Sequence, residues 1–387
     1  MQQLVINQHM KKQKQQTPSS HNKVSLIKLS ADVHKRDFKI SRQIGDQNIQ
    51  PAQVFGPEAA FEWAVKQLDS AKRVVFCYEA GFSGFSLARR LELQGVEPVV
   101  MCPQKLDERC KRVNTDKRDS RAIASRLDRF VAGNQEALVK VRIPTEKEED
   151  ERAVSRQRGQ MMKARKQFEA QGRSLLTFKG LACPGHWWRG TEATWKQTLQ
   201  KHHWPAQVVA LLEGYRRMAL AAETEILALS LRLEQAAQPN LPPSMPRLPR
   251  GFGELSMEIL RREVCAWDRF ENRGNVGSFF GLCCAESSSG QQHNQGSITK
   301  TGNPRGRHAL IELAWRALQF QPDYWVVKKF LPRMHKAKAR SVTRRKCIVA
   351  MARLIAVDLW RLYTGQTTIA KLGLSAKSTK DYVLKVT

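Results

Sequence analysis

Four acids stand out in a strongly basic chain: Asp32, Glu79, Asp116 and Asp119. The stretch VNTDKRDSRAIA, residues 113–124, sets Asp116 and Asp119 among Lys111, Arg112, Lys117, Arg118 and Arg121. A spacing of three places both carboxylates on one face of a helix start. Asp32 falls on the polar side of the strand-like run VSLIKLSADV, and Glu79 closes the apolar run RVVFCYE. Acids at strand ends and on a facing helix can converge on one point. Carboxylates held that close repel one another and raise their own pKa values unless a cation neutralises them. Hard oxygen ligands without Cys or His select Mg²⁺ or Mn²⁺. A pair of such ions about 4 Å apart activates the attacking oxygen and stabilises the leaving one in phosphoryl transfer. The same residues also read more plainly: Asp116 as a helix cap or a partner of Lys117, Glu79 as a strand end. Spacing alone leaves both readings open.

The elements that must position these acids are legible in the hydrophobic pattern. Residues 24 to about 133 read as α/β. In VSLIKLSADV, Ile27, Leu29, Ala31 and Val33 alternate with Lys28, Ser30 and Asp32. FKISRQ follows a basic turn as a return strand, RVVFCYE reads as a buried central strand, and PVVMC as another. Helices are expected from about 83 to 93 and from about 115 to 130. Hairpin strands followed by β-α-β-α predict a mixed sheet flanked by helices.

Beyond this lie long helices. Val154, Met161, Phe168 and Leu175 recur every seven residues. Val208, Leu212, Tyr215, Ala219, Ala222, Ile226, Leu229 and Leu233 keep a 4-3 spacing, the mark of a coiled-coil seam. The Trp-rich break between them either closes a helical hairpin, the commoner case, or stacks on bases. The two helices can fold back on each other or pair with a second subunit. The proline-rich QPNLPPSMPRLPRG reads as a linker, followed by helices near 254–267, 274–283, 307–320 and 342–363, with a long loop over 285–306.

Charge narrows the partners. The chain of 387 residues carries 65 Lys+Arg against 36 Asp+Glu, a net charge of +29. Such an imbalance self-repels unless a polyanion is near, which favours nucleic acid. The run KAKARSVTRRK, residues 336–346, suits phosphate contacts, although such runs are commonly solvated helix faces. No apolar run approaches the roughly 20 residues of a membrane span. The eight cysteines form no C-x-x-C pair, and scattered thiols fit a reducing cytoplasm.

The order LSADVHK, CYEAGFSGFSLARRLELQG and NTDKRDSRAIA resembles the signature of the DEDD insertion-sequence transposases, the IS-one-ten family. The likeness continues through LPRGFGELSMEILRREVCAWDRFENRGNVGSFFGLCCAESSSG and SITKTGNPRGRHAL, and covers about residues 24 to 365 in family order. Cys284 stands where the family has Pro, and Gln291 where a second Gly is common. The resemblance implies an α/β RNase H-like (RuvC-like) N-terminal domain whose Asp32, Glu79, Asp116 and Asp119 bind Mg²⁺ (or Mn²⁺). It further implies, beyond the central coiled-coil helices read from the heptad spacing, a mainly α C-terminal transposase domain with a serine nucleophile. Aligning Gly281-Leu282 puts that serine at Ser289, with Ser287 and Ser288 as register alternatives; without the resemblance, SSSG reads as a flexible loop. The implied boundaries are a disordered lead-in over 1–23, the DEDD domain over 24–145 and coiled coil over 146–237. A linker over 238–250 and the transposase domain over 251–387 complete the chain.

The implied activity is recombination of donor and target DNA through a phosphoserine link, guided by a bridge RNA. The expected assembly is a homo-oligomer, a dimer or tetramer, in the bacterial cytoplasm at the nucleoid, away from membranes. Two other readings fit the composition: a Mg²⁺-dependent nuclease or junction resolvase that uses water, and a non-catalytic nucleic-acid-binding protein.

Overall fold

The computed structural model describes residues 23–81, 83–102, 116–237, 241–289, 292–336 and 341–377; for 116–119, 286–289 and 292–295 the description is of the backbone alone. The expected lead-in, but for Lys23, and residues 337–340 of the basic run lie outside the described residues. The chain divides between Pro144 and Thr145 into two compact units.

The first unit holds β1 (Ile27–Val33), β2 (Phe38–Ile44), β3 (Gln53–Phe55), α1 (Pro57–Lys66), β4 (Val74–Glu79), α2 (Ser86–Leu93), β5 (Glu97–Met101) and α3 (Asp116–Val131). The sheet order is β3-β2-β1-β4-β5. β2 is antiparallel to both β1 and β3, whereas β4 runs parallel to β1 and β5. Parallel neighbours need a crossover, which α2 supplies between β4 and β5. Apolar side chains cover both faces. Ile27, Leu29, Ala31, Phe76 and Tyr78 meet Ala60 and Ala64 of α1 and Leu87, Ala88 and Leu91 of α2. On the other face Val75, Cys77, Val99 and Met101 meet Ile123 and Leu127 of α3. The polar alternates Lys28 and Ser30 are therefore buried as well. Alternation in β1 separates an apolar layer from a polar layer that lies beneath a helix.

The second unit contains α4 (Glu146–Phe178), α5 (Glu192–His202), α6 (Ala206–Ala237), α7 (Glu254–Val264), α8 (Arg273–Phe279), β6 (Cys284–Ser289), β7 (Gln292–Ile298), α9 (Pro304–Phe320), α10 (Trp325–His335) and α11 (Val342–Tyr363). Thr145 and Glu148 close a capping box that starts α4. α4 and α6 pack along their lengths. They run antiparallel, as Arg158 donating to Ser230 (2.6 Å) and the ion pair of Arg165 with Glu223 (2.5 Å) show. The expected seam faces inward: of its α6 positions all but the half-buried Tyr215 are buried. The two heptad helices thus fold back on each other within one chain. The Trp-rich break closes that hairpin, with Trp187, Trp188, Trp195 and Trp204 buried around Leu176, Val208 and Leu212.

The C-terminal helices gather round Phe252, Met257, Leu260, Phe280, Leu313, Met351 and Ile355. Met245 and Leu248 of the proline-rich segment enter the same core. The stretch 285–306, expected as a loop, instead forms the β6–β7 hairpin followed by the first turn of α9. Its polar, serine- and glutamine-rich strands carry no hydrophobic alternation, so the pattern hid them. Among the described residues no helix is long and apolar enough to cross a membrane.

Candidate active site

In the first unit β1 and β4 are parallel neighbours, paired as far as Ala31 with Tyr78. Asp32 and Glu79 are the next residues of these two strands, side by side at the carboxyl ends of the central pair. Openings at the carboxyl ends of parallel strands are where α/β sheets hold their ligands. Asp32 is also in register with Lys39 of β2, and His34 Nε2 lies 3.2 Å from Asp32 Oδ2. The thiols of Cys77 and Cys102 are pushed up, chiefly by burial and further by the negative charge of Glu79.

Helix α3 is fastened over β1 by polar contacts. Lys28 pairs with Asp128 near the end of α3, and Ser30 Oγ donates to the Ser120 carbonyl at 3.2 Å. Ser41 of β2 reaches Ser120 Oγ at 3.4 Å. Lys28, Ser30 and Asp32 are alternate residues of one strand face. Stepping along that face from Lys28 to Ser30 moves from the end of α3 toward its beginning. The same progression leads from Asp32 toward the first turn of α3, the turn that carries Asp116 and Asp119. The side chains of those two acids lie outside the described residues. Among the described residues no group of three or more His, Cys, Asp or Glu gathers for a metal ion. Asp32 and Glu79 offer hard carboxylate oxygens, the donor type Mg²⁺ takes.

In the second unit Ser289 is the last residue of β6 and pairs with Gln292 of β7; Ser288 pairs with His293 and Ser287 with Asn294. The base of this hairpin is tightly built. Gly281 (φ +62°) and Gly302 (φ +148°) allow a backbone approach in which a Cβ on Gly302 would lie 2.6 Å from the Gly281 nitrogen and the Phe279 carbonyl. Arg307 donates to the carbonyls of Phe280 (2.9 Å) and Lys300 (3.2 Å). Asn303 caps α9, its side chain accepting from the amides of Arg305 (3.1 Å) and Gly306 (2.9 Å).

Sequence reasoning passed over the Lys28–Asp128 pair and the ion network of Glu151, Arg156, Glu258, Arg261, Arg262, Glu263 and Arg305. Its links to α4, Arg156 with Glu263 and Glu151 with Arg261, join residues 107 and 110 apart, beyond any local pattern. The one local signal was Asn303-Pro304, a cap followed by Pro at the first helical position.

Residues 249–327, from the end of the proline-rich segment through the hairpin into α10, match the family model described as Transposase IS116/IS110/IS902 family. Two proteins of Sinorhizobium fredii (strain NBRC 101917 / NGR234) are similar over most of the chain. "Putative transposase y4rJ" is 30% identical over 302 residues, 73% of this chain and 75% of its own length. "Putative transposase y4qE" is 29% identical over 336 residues, 86% of this chain and 77% of its own.

Proposed function

This chain belongs to the IS116/IS110/IS902 family of transposases, and from that premise we propose that it cuts and rejoins DNA with the acids Asp32, Glu79, Asp116 and Asp119 and with Ser289 as nucleophile. The observation that carries the reading is the placement of Asp32 and Glu79 side by side at the ends of parallel β1 and β4, with the first turn of α3 leading toward them. The sheet order β3-β2-β1-β4-β5, antiparallel on one side and parallel on the other, supports an RNase H-like (RuvC-like) domain.

The four carboxylates would hold Mg²⁺ (or Mn²⁺), which when bound offsets phosphate charge and lowers the pKa of an attacking oxygen. The chain's own groups do the rest. Lys39 and His34 beside Asp32 present cationic and donor groups to a phosphate. The Ser289 hydroxyl loses its proton and attacks phosphorus, forming a phosphoserine bond. The bond to the 3′ oxygen breaks, and that oxygen takes up a proton as a free 3′-hydroxyl. Attack by a 3′-hydroxyl on the phosphoserine reverses the exchange, so rejoining needs no ATP. A charge of +29 spread through the chain suits backbone contacts to a guide RNA as well as to donor and target DNA.

The test is adduct trapping. Full-length protein is incubated with Mg²⁺, a labelled duplex spanning the element's end, and RNA transcribed from the element's non-coding segment. A covalent protein–DNA species should form, and Ser289→Ala should abolish it while DNA binding persists. Asp32→Asn and Glu79→Gln should each stop strand cleavage. Loss of the adduct in Ser287→Ala or Ser288→Ala, with Ser289→Ala active, moves the nucleophile. Cleavage without any adduct points to water, and undiminished strand transfer by Asp32→Asn overturns the acidic site.

A further inference from the structure

Glu263 is a carboxylate at the end of α7 whose side chain is 1% exposed. Burying a charge there is costly unless it is matched by donors. Three side chains converge on it. Asn303 Nδ2 donates to Oε2 at 2.8 Å, Arg156 Nη2 lies 3.3 Å from Oε2, and Arg305 Nε lies 3.5 Å from Oε1. They come from different places: Arg156 from the long helix α4, Asn303 from the cap of α9 and Arg305 from the first turn of α9. Arg305 also crosses to α4 directly, donating from Nη2 to the Ser155 carbonyl at 2.7 Å. It can lie there only because residue 159 is glycine, since a Cβ at that position would sit 2.3 Å from Arg305 Nη2.

The other side of Asn303 holds the hairpin. Its backbone amide donates to the Phe279 carbonyl at 2.7 Å, next to the close glycine pair Gly281 and Gly302. Its side-chain oxygen is committed to the amides that start α9, so its nitrogen has one direction left, toward Glu263. A residue needed only to fill the core between α4, α7 and α9 could be apolar, and buried ion pairs are often replaced that way without loss of stability. The arrangement instead fixes a direction: α4 to Arg156 and Arg305, to Glu263, to Asn303, to the base of β6–β7.

We propose that Glu263, with Arg156, Arg305 and Asn303, is a positioning latch that ties the base of the β6–β7 hairpin to the long helix α4 and thereby sets the rate of attack by the serine the hairpin carries. The latch rests on the reading of Ser289 as nucleophile. None of the four residues touches the reacting atoms in this scheme. A change in α4 that loosens Arg156 or Arg305 slows the chemistry without altering DNA affinity.

Glu263→Gln keeps the shape and the acceptor for Asn303 but removes the charge the guanidiniums face. The full-length variant should cleave the labelled duplex about tenfold more slowly in single turnover, the size expected from weakening one charge-assisted hydrogen bond. Its Kd for the duplex should stay within about twofold. Backbone amides of β6 and β7 should exchange hydrogen about tenfold faster, with α11 unchanged. Gly159→Ala displaces Arg305 by another route and should give the same pattern, which keeps the test decisive if Glu263→Gln does not fold. Cleavage at the normal rate overturns the latch, whether or not the hairpin has loosened. Faster exchange spread equally over α11 also overturns it, because the residue is then merely structural. Normal cleavage by Ser289→Ala would remove the serine reading instead, and exchange in β6–β7 of Glu263→Gln reports on the tie to α4 separately.

Discussion

Alanine in place of Gly172 should destabilise the α4–α6 hairpin, the reverse of the usual gain of about 1 kcal/mol when glycine leaves a helix interior. Gly172 is buried in α4, and the Trp187 ring packs against it. An added Cβ would come within 2.0 Å of Trp187 Cζ2, 2.6 Å of Cη2 and 2.8 Å of Cε2. Carbon atoms in good contact sit about 3.5–4.0 Å apart, so the ring must shift by about 1.5 Å. It has little room to do so. Trp187 is 3% exposed, its Nε1 donates to the Glu169 carbonyl at 3.1 Å, and its ring tilts against Trp195 with centroids 6.3 Å apart. Overpacking costs about 1–3 kcal/mol and losing a buried tryptophan contact entirely about 3–5. Subtracting the helix gain leaves a net loss of about 2 kcal/mol. For a unit of this size that is a fall of about 4–8 °C in Tm. Gly214 in α6 is the internal control, since nothing lies within 4 Å of its Cβ position. Gly214→Ala should gain about 0.5–1 kcal/mol. Thermal melts of the full chain by circular dichroism and tryptophan fluorescence measure both. A Gly172→Ala protein that melts at or above the parent would refute the packing argument.

Asp358, buried against Tyr324 Oη (2.6 Å) and Trp325 Nε1 (2.7 Å), titrates above the ordinary 3.8 because burial outweighs these hydrogen bonds and Arg361. The folded state therefore holds that proton more tightly than the unfolded one. Its contribution is fully present below pH 3.8 and is lost as pH rises through the folded value. Asp358→Asn should flatten that part of the stability–pH curve, and denaturant titrations showing the same slope in both proteins would contradict this. Cys77, its thiol pushed up by burial and by Glu79, should resist alkylation at neutral pH while the exposed Cys284 reacts; peptide mass mapping decides. Binding to duplex DNA should weaken steeply with salt. Contact with about six phosphates gives a log–log slope near −5, and a slope shallower than about −2 would deny the +29 charge its role.

What could be read from the sequence follows physical range. β1, β4 and β5 were legible because buried strands concentrate β-branched residues, and the seam of α6 because its spacing is regular over four turns and more. β3 (QVF) is three residues long and largely exposed, and α1 begins at Pro57 after a cap that makes no side-chain bond. Neither announces itself. α10 carries Pro332 inside it, a residue that argues against a helix. The start of α9 lies three residues before the expected 307, where Asn303 caps and Pro304 opens the helix. For the acids, spacing supplied the type and order of the residues. What it withheld was that Lys28 and Ser30, on the strand face of Asp32, hold α3 in place through partners 100 and 90 residues away.

The α4–α6 hairpin is fastened independently at its two ends. Arg156 and Glu151 of α4 pair with Glu263 and Arg261 of α7 at one, and the four tryptophans hold the other. Between them the contacts repeat every seven residues. The span is therefore a modular spacer: inserting seven residues into α4 and seven into α6 at matching levels preserves every inward position. Each such pair of insertions lengthens it by about 10.5 Å. A small supercoil absorbs the roughly 20° drift per heptad. Length can in this way change between relatives without a new fastening at either end, and insertions and deletions in this stretch are expected in multiples of seven.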